Sequence, residues 1–182
     1  MVSIKRKKKI VFFDGDGTLW YPKKTKHSDK SHWIYSLPGT HKDHCHHLML
    51  TPTTVATLKK LKRMGIITII LSAHPQDKKL AYEIINHKIK HFKLAGLFDE
   101  VHPTRTDEAE KGRVVLKLLK KYNLPKKSAL MVGDNYTWDY KSVRSVGVDA
   151  LLIKAEHHLK NHPGARRVRR VIDQLKDVLD YV

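Results

Sequence analysis

Five short apolar runs alternate along this chain with longer stretches of helical periodicity, and two of the runs end on an aspartate: residues 9–14 on Asp14 and residues 129–134 on Asp134. A continuous apolar strand is one buried on both faces, and strands that alternate with helices form a parallel sheet with helices on either side. The other three runs are 66–71, a short segment around Val101, and 150–153. Helices are predicted over 53–64 (Val55, Leu58, Leu61, Met64), 75–91 (Leu80, Ile84, Ile85), 109–122 (Val114, Val115, Leu118, Leu119) and 136–146, with Gly65 and Gly147 as stops. From Val168 to Val182 apolar residues recur at helical spacing, which predicts an amphipathic C-terminal helix over 167–182 that docks on the sheet. The expected fold class is α/β: a Rossmann-like parallel sheet of five strands flanked by helices, in a single domain spanning 1–182.

One segment breaks the alternation. Residues 21–50 are rich in Lys, His, Ser and Asp with little periodicity, and predict a long flap inserted after the first strand. Long loops in compact domains are commonly functional.

A hydrophobic share of 41% with 8% aromatic residues supports a buried core and excludes disorder of the whole chain. No apolar run approaches the roughly 18 residues of a membrane span, so no membrane partner is expected. The basic cluster at residues 5–9 leads into an apolar stretch too short for a secretory leader. A single cysteine, Cys45, cannot form an internal disulfide, so a reducing, cytoplasmic setting is expected. The 36 Lys plus Arg against 18 Asp plus Glu give a net charge of +18, which either favours polyanionic partners or is a solvated surface property.

The chemistry is concentrated in Val11-Phe12-Phe13-Asp14-Gly15-Asp16-Gly17-Thr18-Leu19-Trp20, where a buried strand delivers two carboxylates at its carboxyl end. Open α/β sheets bind ligands at that edge. Carboxylates there can hold a hard cation, while Gly15 and Gly17 let the backbone turn sharply and present N–H groups to an anion.

Asp-x-Asp-Gly-Thr-Leu after a hydrophobic strand resembles the first motif of the haloacid dehalogenase superfamily of phosphohydrolases. The resemblance implies that Asp14 is the nucleophile that takes up the phosphoryl group. It implies that Asp16 protonates the leaving group and later activates water. Splitting the displacement through an aspartyl phosphate lets one positioned acid/base serve both halves. The dehalogenase branch lacks the second acid and the transport ATPases carry Asp-Lys-Thr-Gly-Thr, so Asp16 points to phosphoryl chemistry other than ion pumping.

The remaining motifs follow in order over residues 9–153. Ser72 matches the second-motif residue that hydrogen-bonds the phosphoryl group, although a serine after a strand is also a common helix cap. Lys111 best matches the third-motif cation, with Arg105 as the alternative and a merely solvated lysine as the bland one. Gly15, Thr18, Ser72, Ala73 and Lys111 make up the substrate-binding set that the resemblance implies. Gly133-Asp134-Asn135-Tyr136-Thr137-Trp138-Asp139 is similar to the fourth motif and implies Mg²⁺ at Asp14, the Asp16 carbonyl and Asp134, with Asp139 as an outer acid of that metal set. The Leu19-Trp20 continuation is similar to the magnesium-dependent phosphatase-1 subfamily.

Superfamily members set substrate choice with a cap domain, inserted after the first motif or between the second and third. Both intervals are short here, which implies a capless enzyme with only the flap. An open site admits bulky phosphorylated substrates such as a nucleic-acid end or a phosphoprotein, so an exposed or bulky phosphate is expected, with a phosphorylated small molecule also among the expected partners. The charge adds the expectation of non-specific nucleic-acid binding. Trp20, Tyr21, Trp33 and Tyr35 either stack on a base or pack the flap onto the domain. His41, His44, Cys45, His46 and His47 read as a metal site, a pH-responsive basic patch or an ordinary exposed loop. The expected function is a Mg²⁺-dependent phosphomonoester hydrolase. The alternative is a basic nucleic-acid-binding module on a catalytically idle scaffold of this family, suggested by residues 5–9 and by Arg166, Arg167, Arg169 and Arg170.

Overall fold

The computed structural model describes residues 8–26, 34, 39, 41–154 and 162–182. Most of the basic arm, Lys5 to Lys7, and the flap aromatics Trp33 and Tyr35 lie outside the described residues.

Strand β1 (Ile10–Phe13) is the centre of the molecule because it has no polar face. Ile10 and Phe12 join one apolar cluster, Val11 and Phe13 the other, and all four are fully buried. Each such side chain contributes about 1.5–3 kcal/mol of burial. After the hairpin strands β2 (Trp20–Pro22) and β3 (Leu48–Leu50) come β4 (Ile67–Ala73), β5 (Glu100–Thr104), β6 (Ala129–Gly133), β7 (Asp149–Ile153) and β8 (Val171–Ile172). Six of them form a parallel sheet in the order β5-β4-β1-β6-β7-β8. Helices α1 (Thr54–Arg63) and α2 (Lys78–His91) cover the Val11/Phe13 face through Leu58, Leu61, Ile85 and Ile89. Helices α3 (Glu110–Lys121) and α4 (Ser142–Ser145) cover the other through Val115, Leu118, Leu119 and Val143.

The sheet has six strands where the sequence predicts five, and the extra one comes from the tail. The predicted helix over 167–182 is instead a short 3-10 turn (Ala165–Arg167), β8, and a 3-10 helix (Leu175–Tyr181). Val171 and Ile172 are β-branched and pair with Leu152 and Ile153 along the open edge of β7. Gln174 and Asp177 then form a reciprocal capping box, and Leu175 and Val178, three residues apart and therefore on one face of a 3-10 helix, are buried. This helix packs on α1, and the Lys176 N–H donates to Thr53 Oγ1 at 3.1 Å.

Two other elements differ from expectation. The single helix predicted over 136–146 is a π-helical segment (Tyr136–Lys141) followed by α4. In α2 the buried stripe is Ala81, Ile85, Lys88 and Ile89, while Leu80 of the predicted stripe is exposed. Within 21–50, β2 and β3 pair antiparallel and a 3-10 segment (His41–His47) leads into β3. The interval from Ser72 to Lys111 holds α2 and β5. Among the described residues no helix is long and apolar enough to cross a membrane.

From β1 the chain moves outward through β4 and β5 on one side and through β6, β7 and β8 on the other. The carboxyl end of β1 is therefore a point where the strand order reverses, and such points leave a crevice between diverging connections.

Candidate active site

Phe13 is level with Ile70 on one side and Val132 on the other, so the parallel register brings Asp14, Ser72 and Asp134 to the same edge of the sheet. The Asp14 N–H continues the ladder to the Val132 carbonyl at 2.9 Å. The chain then turns: the Gly15 carbonyl accepts from the N–H groups of Thr18 and Leu19 at 3.2 and 2.8 Å, and the Gly17 N–H donates to the Trp20 carbonyl at 2.7 Å. Gly17 has φ +88°, and a side chain there would collide with the Asp134 carboxylate. A β-carbon on Gly15 would lie 2.8 Å from Ser72 Oγ, so this turn and the end of β4 touch only because the residue is glycine.

Lys111, in the first turn of α3, is 1% exposed and extends its ammonium to Asp14 Oδ1 and Asp139 Oδ1, 2.5 Å from each. Arg105, the other candidate cation, is exposed. Asp139 reaches Lys111 because the π-helical segment widens the backbone after β6. The Asn135 carbonyl accepts from both Asp139 and Tyr140 N–H groups, and the Asn135 side chain caps the segment through Thr137 and Trp138. The second Asp139 oxygen accepts from the Asn135 N–H at 2.9 Å. Thr18 Oγ1 lies 3.5 Å from Asp134 Oδ1, and Ser72 is buried beside Gly15 with Ala73 following it at the end of β4.

Burial pushes the Asp14 carboxyl well above the ordinary carboxylate range; Lys111 pulls it back, while Asp139 and Asp134 push it further up. Burial also raises Asp139, again opposed by Lys111. For Lys111 burial works against the charge, but Asp139 and Asp14 prevail and hold it above the usual lysine value. Three buried carboxylates, with oxygens within 4.8 Å of one another, thus gather around Lys111, an excess of negative charge among the described residues. A divalent cation fits that imbalance, and an all-oxygen donor set suits Mg²⁺. Both oxygens of Asp139 are engaged by Lys111 and Asn135, and Asp14 and Asp134 could hold such an ion.

The Asp16 side chain is directed elsewhere. It accepts from Trp20 Nε1 at 2.8 Å, and Lys88 Nζ lies 3.1 Å from each of its oxygens. Lys88 is fully buried in α2, with its ammonium 5.3 Å from the Trp20 ring centre. His74 Nε2 stands 3.9 Å from Asp16. Burial, aided by the charge of Lys88, lowers the His74 pKa to about 4, so its imidazole is neutral at physiological pH. Sequence reasoning missed Lys88 and His74. The signal for Lys88 is a lysine in register with Ala81, Ile85 and Ile89, a position where an amphipathic helix ordinarily carries an apolar residue.

A model of the haloacid dehalogenase-like hydrolase family matches residues 5–153. No curated protein matches. Solved structures resemble the chain over nearly their whole length. A haloacid dehalogenase-like family hydrolase from Streptococcus pneumoniae shares 17% identity at TM-score 0.67, covering 96% of this chain and 98% of its own. A HAD phosphatase from Thermococcus onnurineus shares 20% identity at TM-score 0.67, over 94% and 96% of the two chains. A protein from Haemophilus somnus, described as a predicted phosphoglycolate phosphatase, shares 16% identity at TM-score 0.68, over 98% and 99%. These likenesses show the fold, and the family model covers all four motif positions around Lys111. The chain belongs to the haloacid dehalogenase-like hydrolase family.

Proposed function

We propose that the protein is a Mg²⁺-dependent phosphomonoester hydrolase that works through an aspartyl phosphate on Asp14. The observation that carries this reading is the Lys111 ammonium, 2.5 Å from both Asp14 and Asp139, beside Asp134 at the carboxyl edge of the sheet. Lys111 holds one oxygen of Asp14, and the other attacks phosphorus as the bond to the leaving oxygen breaks. Asp16, protonated and turned from Lys88 toward the substrate when it binds, gives that oxygen a proton, then takes one from water as the water attacks phosphorus and the bond to Asp14 breaks. Inorganic phosphate leaves and both acids return to their starting states. Ser72 and the Gly15 backbone N–H bind the phosphoryl oxygens, with Thr18 and Ala73 beside them. Asp14, Asp134 and the Asp16 carbonyl would hold Mg²⁺, which would supply positive charge to offset the phosphate in the transition state. Asp139 acts by orienting Lys111.

A phosphorylated small molecule is the substrate class this reading favours, and the neighbour from Haemophilus somnus described as a predicted phosphoglycolate phosphatase supports it. No observation among the described residues favours the idle nucleic-acid-binding scaffold. The test is phosphate release from nucleoside monophosphates, sugar phosphates, phosphopeptides and phosphorylated oligonucleotides, with Mg²⁺ or EDTA and with Asp14→Asn as control. Folded protein that releases no phosphate from any of them with Mg²⁺ present overturns the proposal. A preference for oligonucleotides that fades at high salt moves the substrate to nucleic-acid ends.

A further inference from the structure

The 3-10 segment His41–His47 packs against α2, and this contact assembles a second cluster of metal-ligating side chains. Ligand atoms of His44, Cys45 and His87 all lie within 4.8 Å of one another. Cys45 Sγ is 3.9 Å from His87 Nδ1, across a sequence separation of 42 residues, and the His44 and His87 rings meet edge to face with centres 5.3 Å apart. His44 and Cys45 are 7% and 2% exposed, which is unusual for neighbours in a segment otherwise rich in Lys, Asp and His.

Two imidazoles and a thiol are the donor set of a borderline-soft ion, whereas the Asp14, Asp134 and Asp139 cluster offers only hard oxygens. In a tetrahedral zinc site, bond lengths of about 2.3 Å to sulfur and 2.0–2.1 Å to nitrogen place sulfur and nitrogen about 3.6 Å apart. The observed 3.9 Å needs only a small side-chain rotation to reach it. The two donors from the 3-10 segment and the one from α2 cannot be assembled by either element alone. We propose that His44, Cys45 and His87 bind one zinc ion, with water in the fourth position, and that this ion pins the segment before β3 to helix α2. Binding releases the Cys45 thiol proton to solvent and adds no redox step. The residue after His87 is Lys88, the partner of Asp16, so the ion fixes the helix turn that presents that ammonium to the acid.

The test uses untagged full-length protein loaded with zinc in excess Mg²⁺, which keeps the oxygen cluster occupied. One zinc per chain is expected to survive dialysis, and X-ray absorption is expected to show one sulfur and two imidazoles around it. Co²⁺ in its place is expected to give a thiolate-to-cobalt charge-transfer band. Cys45→Ser and His87→Ala should each weaken zinc binding in a chelator competition by at least about tenfold, the loss that even an outer-shell change brings. His102→Ala, at a histidine on β5, should leave it unchanged. The proposal is overturned if wild-type protein keeps no zinc, if its zinc has no sulfur ligand, or if both variants compete as wild type does. The spectra of wild-type protein decide the matter even if a variant fails to fold.

Discussion

Lys88 and Asp16, 72 positions apart in the chain, form an ion pair in which one buried ammonium lies 3.1 Å from both oxygens of the carboxylate. The pair joins the turn that follows β1 to the inner face of α2, and Trp20 covers it from one side. Lys88→Met keeps the aliphatic stem and removes the charge that positions Asp16. The expected result is a kcat lower by about 10- to 100-fold with KM little changed, because misplacing an acid/base costs catalysis more than binding. Lys88→Arg should recover part of the loss. Steady-state kinetics on the best substrate of the panel check this, and an unchanged kcat in Lys88→Met would remove Lys88 from the mechanism.

Asp14 sits where a carboxylate is costly. Because its folded pKa is raised, its contribution to stability is fully present below the unfolded pKa and is lost as pH rises through the folded value. At neutral pH without Mg²⁺ the charge therefore destabilises the fold, and Asp14→Asn should raise the melting temperature while abolishing turnover. Adding Mg²⁺ should stabilise wild-type protein more than the variant. Melting curves of both proteins at pH 7, with EDTA and with Mg²⁺, supply the comparison; a variant less stable than wild type in EDTA contradicts it.

Gly17 and Gly65 both have positive φ, +88° and +69°, but only at Gly17 does a side chain meet anything, namely the Asp134 carboxylate. Alanine at either site should cost about 1 kcal/mol or more for the left-handed backbone. Only Gly17→Ala should also lose phosphatase activity and the stabilisation by Mg²⁺. Denaturant titrations with and without Mg²⁺ separate the two effects, and a normal Mg²⁺ response in Gly17→Ala would mean that Asp134 holds no ion.

Glu100, on the edge strand β5, offers a pH test remote from the site. Burial works against its ionisation, but hydrogen bonds from Lys121, Tyr122 and His102 outweigh burial and bring its pKa to about 2. A depressed carboxylate gives stability that is present above its unfolded pKa and lost as pH falls through the folded one. Glu100→Gln should be less stable than wild type by about 1 kcal/mol at pH 6, a figure discounted for the exposed Lys121 partner. That gap should close between about pH 4.5 and pH 2. Urea unfolding across this range reads it directly, and a gap independent of pH would assign the effect to packing.

The strands ending on Asp14 and Asp134 were legible in the sequence because strands buried on both faces leave uninterrupted apolar runs. Lys111 was legible because it opens the periodic helix before β6, and the structure brings it to Asp14. Lys88 was not, since a lysine inside an apolar stripe looks like a phase error until the acid it faces is known. The tail misled for a related reason: Val171, Ile172, Leu175 and Val178 satisfy a helical period, and only the open edge of β7 selects a strand for the first two. The π-helical segment rests on hydrogen bonds five residues apart, Tyr140 to Asn135 and Ser142 to Thr137, that no periodicity announces. His87 could not be joined to His44 and Cys45 before the packing of α2 was known.

The two strands at the margins of the sheet are poor templates for another chain. At one margin β8 is only two residues long, and the chain passes directly from it into a 3-10 helix that packs on α1. At the other, β5 is a short strand of five residues. A six-stranded sheet rich in Val, Ile and Leu would otherwise present two long rows of unpaired donors and acceptors, the usual seeds of sheet-to-sheet aggregation. Short strands at both margins give this basic protein a means of staying dispersed that does not depend on its charge, and so one that persists when salt screens the charge.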